Sequence, residues 1–166
     1  MSKFCLIFPI AQFWGYLKIL AMYQLVYLSF AAKSFEADNP ESGVDSILQV
    51  ARTKNKEIGV TGMLLFNGFV FIQMLEGDKD EVENLYAKIE QDSRHSRAKV
   101  LIRQNSKFGE RYFEDWTMGY RKVEKEDLKL IETLVPWHEV SEISQKDVVI
   151  PKINLMELFK QFRYKA

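Results

Sequence analysis

Gln73 stands in the run Phe-Val-Phe-Ile-Gln-Met-Leu at 69–75, every other member of which is apolar. A carboxamide in a fully apolar strand costs a few kcal/mol unless its donors and acceptors are matched. Either another segment of the chain satisfies Gln73 or a ligand does. The other side chains equipped for chemistry are Tyr27, inside the apolar stretch 23–30, Asn55, at the end of an amphipathic stripe, and the pair Arg94-His95, past a second stripe. Taken singly, each has a plain structural reading. Tyr27 is a core tyrosine, Asn55 a helix C-cap that tolerates the left-handed conformation, and Arg94-His95 a solvated helix end near the negative pole of the dipole. Trp116 and Met118, two apart, read as packing on one strand face. Two histidines, His95 and His138, with the distant Cys5 make no recognisable zinc site, and no metal is expected. There is no G-x-G-x-x-G dinucleotide fingerprint.

The elements around Gln73 can be read outward from it. Asn67-Gly68 between two apolar runs signals a type I′ hairpin joining Val60–Phe66 to Phe69–Leu75. Gly77 ends the second strand, and Asp78 followed by Glu81 reads as an N-cap with its N3 partner. The helix that follows, Asp80–Gln91, carries Val82, Leu85, Tyr86 and Ile89 at i, i+3, i+4, i+7 spacing. Upstream, Tyr23–Phe30 alternates as a strand, with Leu25, Tyr27 and Ser29 on one face and Val26 and Leu28 on the other. Ser42 with Asp45 opens a helix whose stripe is Val44, Ile47, Leu48 and Ala51 and which ends around residues 53–55. Ala98–Arg103 and Trp116–Val123 complete the strands. The order β-α-β-β-α-β-β predicts an α+β, ferredoxin-like sheet with both helices on one face. The other face needs a cover, which two amphipathic C-terminal segments, Asp127–Val135 and Ile153–Phe162, can supply.

A chain of 166 residues, 47% apolar and 28% charged, is ordinary for one soluble domain with short extensions. Net charge is zero with the signs interspersed, so no basic stripe marks a nucleic-acid partner. A single cysteine excludes an internal disulfide and fits a reducing, cytoplasmic compartment. Residues 1–21 form an apolar extension interrupted by Pro9, Gln12, Gly15 and Lys18, short of a clean membrane span. It is read first as a dispensable extension or a misassigned start, then as an extra packing or partner helix, and last as a membrane contact, with no stable membrane insertion expected.

With these residues placed, the chain resembles the BLUF family, sensors of blue light using FAD. The matching blocks are Leu-Val-Tyr-Leu-Ser at 25–29, Ala-Arg-x-x-Asn at 51–55, Val-Thr-Gly-Met-Leu at 60–64, Phe-x-Gln-x-Leu-Glu-Gly at 71–77, Asp-x-Arg-His at 92–95 and Trp-x-Met-Gly at 116–119. Residues 22–123 are read as the flavin-binding domain, and 124–166 resemble the helical cap of short, single-domain members. The resemblance implies that Tyr27 is the light-driven electron and proton donor and that Gln73 bridges it to the flavin N5/O4 edge. It further implies that Asn55 bonds the ring, that Ile47 and Ile89 sandwich it, and that Arg94 and His95 approach the ribityl-phosphate end. Trp116 and Met118 are implied to couple the pocket to output from the fifth strand. Two departures stand out: the loop from Phe30 to Gly43 is a few residues longer than usual, and Lys54 stands where members often have a second polar flavin contact.

The chemistry suits those roles. An oxidisable tyrosine needs somewhere for its proton, and a glutamine amide can both donate and accept. The reading is therefore a sensor, not an enzyme, which binds FAD and signals to a protein partner or through a homo-oligomer. The alternatives are an acylphosphatase-like hydrolase, for which no glycine-rich anion loop with an arginine precedes the first helix, and a flavin-free interaction module on the same fold.

Overall fold

The computed structural model describes residues 22–33, 35, 40–106, 109–124, 127, 129, 131 and 152–164. In chain order the elements are β1 (Tyr23–Ala31), α1 (Pro40–Glu57), β2 (Thr61–Phe66), β3 (Val70–Gly77), α2 (Lys79–Glu90), β4 (His95–Asn105), β5 (Gly119–Lys122) and α3 (Lys152–Tyr164). The strands form one sheet in the order β4-β1-β3-β2-β5, antiparallel except for the β2–β5 pair. The expected α+β, ferredoxin-like arrangement is therefore present.

Strand alternation sorts the core into two layers. Leu25, Tyr27, Leu64, Phe71 and Leu75 meet Val44 and Leu48 of α1 and Val82 and Tyr86 of α2 on one face. Val26, Leu28, Met63, Ile72 and Met74 meet Leu155, Leu158, Phe159 and Phe162 of α3 on the other. The second C-terminal segment thus covers the face opposite α1 and α2. The extension 1–21 and, apart from Asp127, Lys129 and Ile131, the segment Asp127–Val135 lie outside the described residues.

Four local expectations need correction. The hairpin turn closes from Asn67 N to Val70 O (3.3 Å) around Gly68-Phe69, and only Gly68 has positive φ (94°). A type I′ turn needs two such residues. Asn67 instead uses its side chain, Oδ1 accepting from Phe69 N and Val70 N. Helix α1 runs past Asn55 to Glu57 and stops at Gly59, whose φ of 66° turns the chain so that Val60 N reaches Asn55 O at 2.9 Å. Asn55 is therefore an interior helical residue rather than a cap. Arg94-His95 is not a solvated helix end: His95 is the first residue of β4, paired with Ala31. Finally, β5 is shorter than Trp116–Val123, and Trp116 and Met118 precede it on the connecting loop. They do not share a face. Trp116 packs with the α3 layer, while Met118 is buried in the α1/α2 layer. The cause is where the loop's hydrogen bonds go: Trp116 O accepts from Gly62 N (3.0 Å), but Thr117 O and Met118 O accept from Asn55 and Arg52 of α1.

Candidate functional site

One row of residues crosses the sheet on the α1/α2 face: Val100, Tyr27, Gln73, Leu64 and Tyr120, each paired with the next through the strand register. Its two polar centres, Tyr27 and Gln73, are direct cross-strand partners, where Cβ atoms come within about 5 Å. The Tyr27 hydroxyl donates to Gln73 Oε1. Gln73 Nε2 donates in turn to Met118 Sδ at 3.2 Å. The amide is thus satisfied by the chain at both ends, but unequally, because a thioether is a weak acceptor.

A cavity of about 250 Å³ opens above this row. Tyr27, Gln73 and Leu64 form its floor, and Ile47, Ala51 and Asn55 of α1 and Leu85 and Ile89 of α2 contribute to its walls. Lys54, Lys88, Asp92, Arg94 and His95 also line it. All seven residues singled out for cofactor contact, Tyr27, Ile47, Asn55, Gln73, Ile89, Arg94 and His95, therefore border one space. Trp116 and Met118 do not border it; Met118 reaches the site only through its sulfur on Gln73.

The polar groups around the cavity are differently held. Asn55 is 1% exposed and its Nδ2 donates to Thr117 O at 2.7 Å. Arg94 is clamped to Asp92, with Nη2 at 2.5 Å from Oδ2 and Nε at 2.9 Å from Oδ1. That bonding holds the Asp92 carboxyl below its ordinary value. Burial pushes the Tyr27 phenol far up, so it stays protonated, and holds the His95 imidazole below 6.5 against the opposing pull of Asp92. Tyr86 of α2 lies against Tyr27 with ring centroids 5.3 Å apart, and burial raises its phenol to about 12. Two buried polar atoms on the cavity lining, Ser29 Oγ and His95 Nδ1, have no hydrogen-bond partner among the described residues.

Sequence reasoning missed Ser29, Phe71, Lys88 and Asp92 as lining residues. Asp92 left a signal, since an Asp-x-Arg spacing in a turn lets the two side chains meet. The Met118 sulfur contact left none, because it depends on the loop folding away from the strand. Among the described residues, no cluster of histidine, cysteine or carboxylate could hold a metal ion, and no helix is long and apolar enough to cross a membrane.

Comparison with known proteins follows the same outline. The family model described as sensors of blue-light using FAD matches residues 22–119. Over 95 residues the chain is 37% identical to the photoactivated adenylate cyclase subunit beta of Euglena gracilis, covering 57% of this chain and 11% of that protein. Over 58 residues it is 41% identical to the blue light- and temperature-regulated antirepressor BluF of Escherichia coli (strain K12), covering 35% of this chain and 14% of the other. The chain thus spans a small part of these curated relatives. Among solved structures, the photo-activated state of BlsA superposes with a TM-score of 0.66 at 26% identity, over 84% of this chain and 93% of the other. The dark-state structure of BlrB, at 24% identity and a TM-score of 0.64 over 89% of this chain and 99% of the other, shares the fold. With a family model covering more than half of its length, this chain belongs to the BLUF family of blue-light sensors that use FAD.

Proposed function

We propose that this chain is a blue-light receptor whose cavity holds the flavin ring of FAD over the Tyr27–Gln73 pair and whose output passes to a protein partner. The observation that carries the reading is the directed line Tyr27 Oη–H to Gln73 Oε1 and Gln73 Nε2–H to Met118 Sδ at the cavity floor. The cavity suits the group in other ways. Ile47 and Ile89 offer apolar contact from two helices, and Asn55 and Gln73 offer amides for a polar edge. Ser29 Oγ and His95 Nδ1 are buried there without partners among the described residues, as expected of atoms that a ligand satisfies. Lys54, Lys88 and Arg94 favour an anionic tail at the mouth. BLUF domains are sensors rather than catalysts, which sets aside the hydrolase and flavin-free alternatives.

When bound, flavin supplies the absorption of blue light and, once excited, the pull for one electron. Tyr27 would be the electron source, with its phenolic proton held by Gln73 Oε1, already in contact, until one electron and one proton from the amide return to restore the phenol. The return leaves the Gln73 amide in a changed orientation or tautomer. Either change alters the group that Gln73 offers to Met118 and to the cavity. The loop carrying Met118 and Trp116 then responds only if it contacts the two forms of Gln73 differently. We further assign 22–123 to sensing and 124–166 to a helical cap, in a cytoplasmic protein that signals through a partner or through copies of itself. The curated relatives pair light sensing with an adenylate cyclase or an antirepressor, which supports an output by protein contact.

The test is direct. Protein purified from riboflavin-supplied cells is expected to be yellow and to release FAD on heating, and blue light is expected to shift its band to the red without net reduction. Tyr27→Phe and Gln73→Leu are expected to keep the flavin and lose the shift. Recovery of no flavin, or a full shift in Tyr27→Phe, refutes the assignment.

A further inference from the structure

Glu76 is the one charged side chain among the fully buried described residues, at 0% exposure. It lies at the end of β3, three residues beyond Gln73, and the strand's alternation puts it on the opposite face. Its Oε1 accepts from Gln24 Nε2 (2.9 Å) and Tyr112 N (3.0 Å), and its Oε2 from Phe113 N (3.0 Å). Beside it, Arg111 donates to Thr61 Oγ1 (2.9 Å), to Glu76 O (3.3 Å) and to Gly59 O (2.7 Å). Phe113, thus fixed by its backbone, is 1% exposed. Its ring stacks on Trp116 at 5.8 Å and meets Phe159 of α3 edge-on at 6.1 Å.

One strand therefore grips the same loop at two points. Glu76 holds it at residues 112–113 through two backbone N–H bonds, which favour the charged carboxylate against the upward push of its burial and are of the stronger, charge-assisted kind. Gln73 holds it at residue 118 through an amide–sulfur contact, the weaker kind. With its other end fixed to β3, the loop must take up a change at Gln73 as a displacement of residues 116–118 relative to 112–113, rather than by moving as a whole. We infer that Glu76 is a positioning residue for signal output. It is the fixed anchor against which the Gln73–Met118 contact is read, and Phe113 passes the resulting motion of Trp116 to α3. The inference rests on the photoreceptor reading above and adds to it a residue outside the flavin cavity. It also gives the carboxylate a task beyond filling the end of the sheet, since Gln24 or an apolar side chain could close that end without holding two loop amides.

The flavin-loaded full chain is compared with Glu76→Gln and Phe113→Leu by absorption spectroscopy and by hydrogen exchange, in darkness and under blue light. Both variants are expected to keep the complete red shift, because Tyr27 and Gln73 are untouched. Both are expected to lose the light-minus-dark change in exchange across 152–164 that the wild type shows. In the dark, the Tyr112 and Phe113 amides of Glu76→Gln are expected to exchange about tenfold faster or more, the loss of a charged hydrogen bond. Phe113→Leu keeps those two amide bonds and decides the matter if Glu76→Gln fails to fold. Variants that retain the wild-type light response across 152–164 overturn the inference. So does a wild type whose band shifts while 152–164 stays unchanged. A wild type with no light-induced shift instead fails the photoreceptor reading, and the inference falls with it.

Discussion

Replacing Asn55 by alanine separates two jobs that one side chain could perform. Its amide lines the cavity, where a single neutral hydrogen bond to a ring is worth about 0.5–1.5 kcal/mol net. Its Nδ2 also donates to Thr117 O at 2.7 Å, inside a site where Asn55 is 1% exposed. Truncation leaves that carbonyl without its donor, at a cost of about 1–3 kcal/mol. Alanine recovers roughly half a kcal/mol as the better helix former at an interior position of α1. The expected loss of folding stability is therefore about 0.5–2.5 kcal/mol, centred between about 1 and 2, with the flavin absent and the ring contact out of play. Urea titration of the flavin-free chain measures it. With a slope of about 2 kcal/mol per molar, the midpoint is expected to fall by about 0.5–1 M with the slope unchanged. Flavin release from the loaded variant is expected to quicken as well. A flavin-free Asn55→Ala as stable as the wild type, releasing flavin faster, would show that the loop bond contributes nothing.

Three further outcomes are expected. In Gly62→Ala the new methyl meets the Met74 carbonyl of the adjacent strand, so a loss of about 3 kcal/mol or more is expected by thermal unfolding; a midpoint within a degree or two of wild type contradicts the packing. Because burial holds His95 below 6.5, the unfolded chain binds more protons between the folded value and 6.5, and stability falls as pH drops through that window. His95→Gln is expected to remove this slope in melts at about pH 7.5 and 5.5, and an unaltered slope excludes His95 as its source. Phe159→Ala, at a fully buried ring of α3, is expected to cost about 3–5 kcal/mol in chemical denaturation, whereas a loss under about 1 kcal/mol means that α3 is not part of the cooperative unit.

Periodicity made most of the architecture legible, because each element had one apolar face to bury. The stripe Val82, Leu85, Tyr86, Ile89 read as a helix on the sheet, and both Tyr27 and Gln73 read as strand residues, which left their meeting on one face open until the pairing of β1 with β3 placed them together. The register that makes them direct partners was not readable, since β1 and β3 meet across an intervening helix and strand with no tight turn to fix their offset. The end of α1 was misjudged because Asn55 resembles a cap, while the stop lies at Gly59, whose positive φ leaves no periodic trace. The opposite placement of Trp116 and Met118 was hidden for a related reason. Alternate residues share a face only in a strand, and here the helix residues Arg52 and Asn55 bend the backbone out of one. Glu76 lay inside a recognised block, yet a carboxylate ending an apolar strand gives no hint of the distant amides it will accept.

Strands β4 and β5 follow one another in the chain yet occupy opposite edges of the sheet, four strand spacings or about 19 Å apart. Every residue lining the cavity falls between Tyr27 and His95. Synthesis runs from the N-terminus, and a domain generally folds as a unit. The ribosome therefore makes every lining residue before it makes the loop that carries Trp116 and Met118 and before helix α3. The cradle and the machinery that reads it are thus consecutive in the chain, yet they close as one unit, because Gln73, Asn55 and Arg52 each bond to residues 117–118.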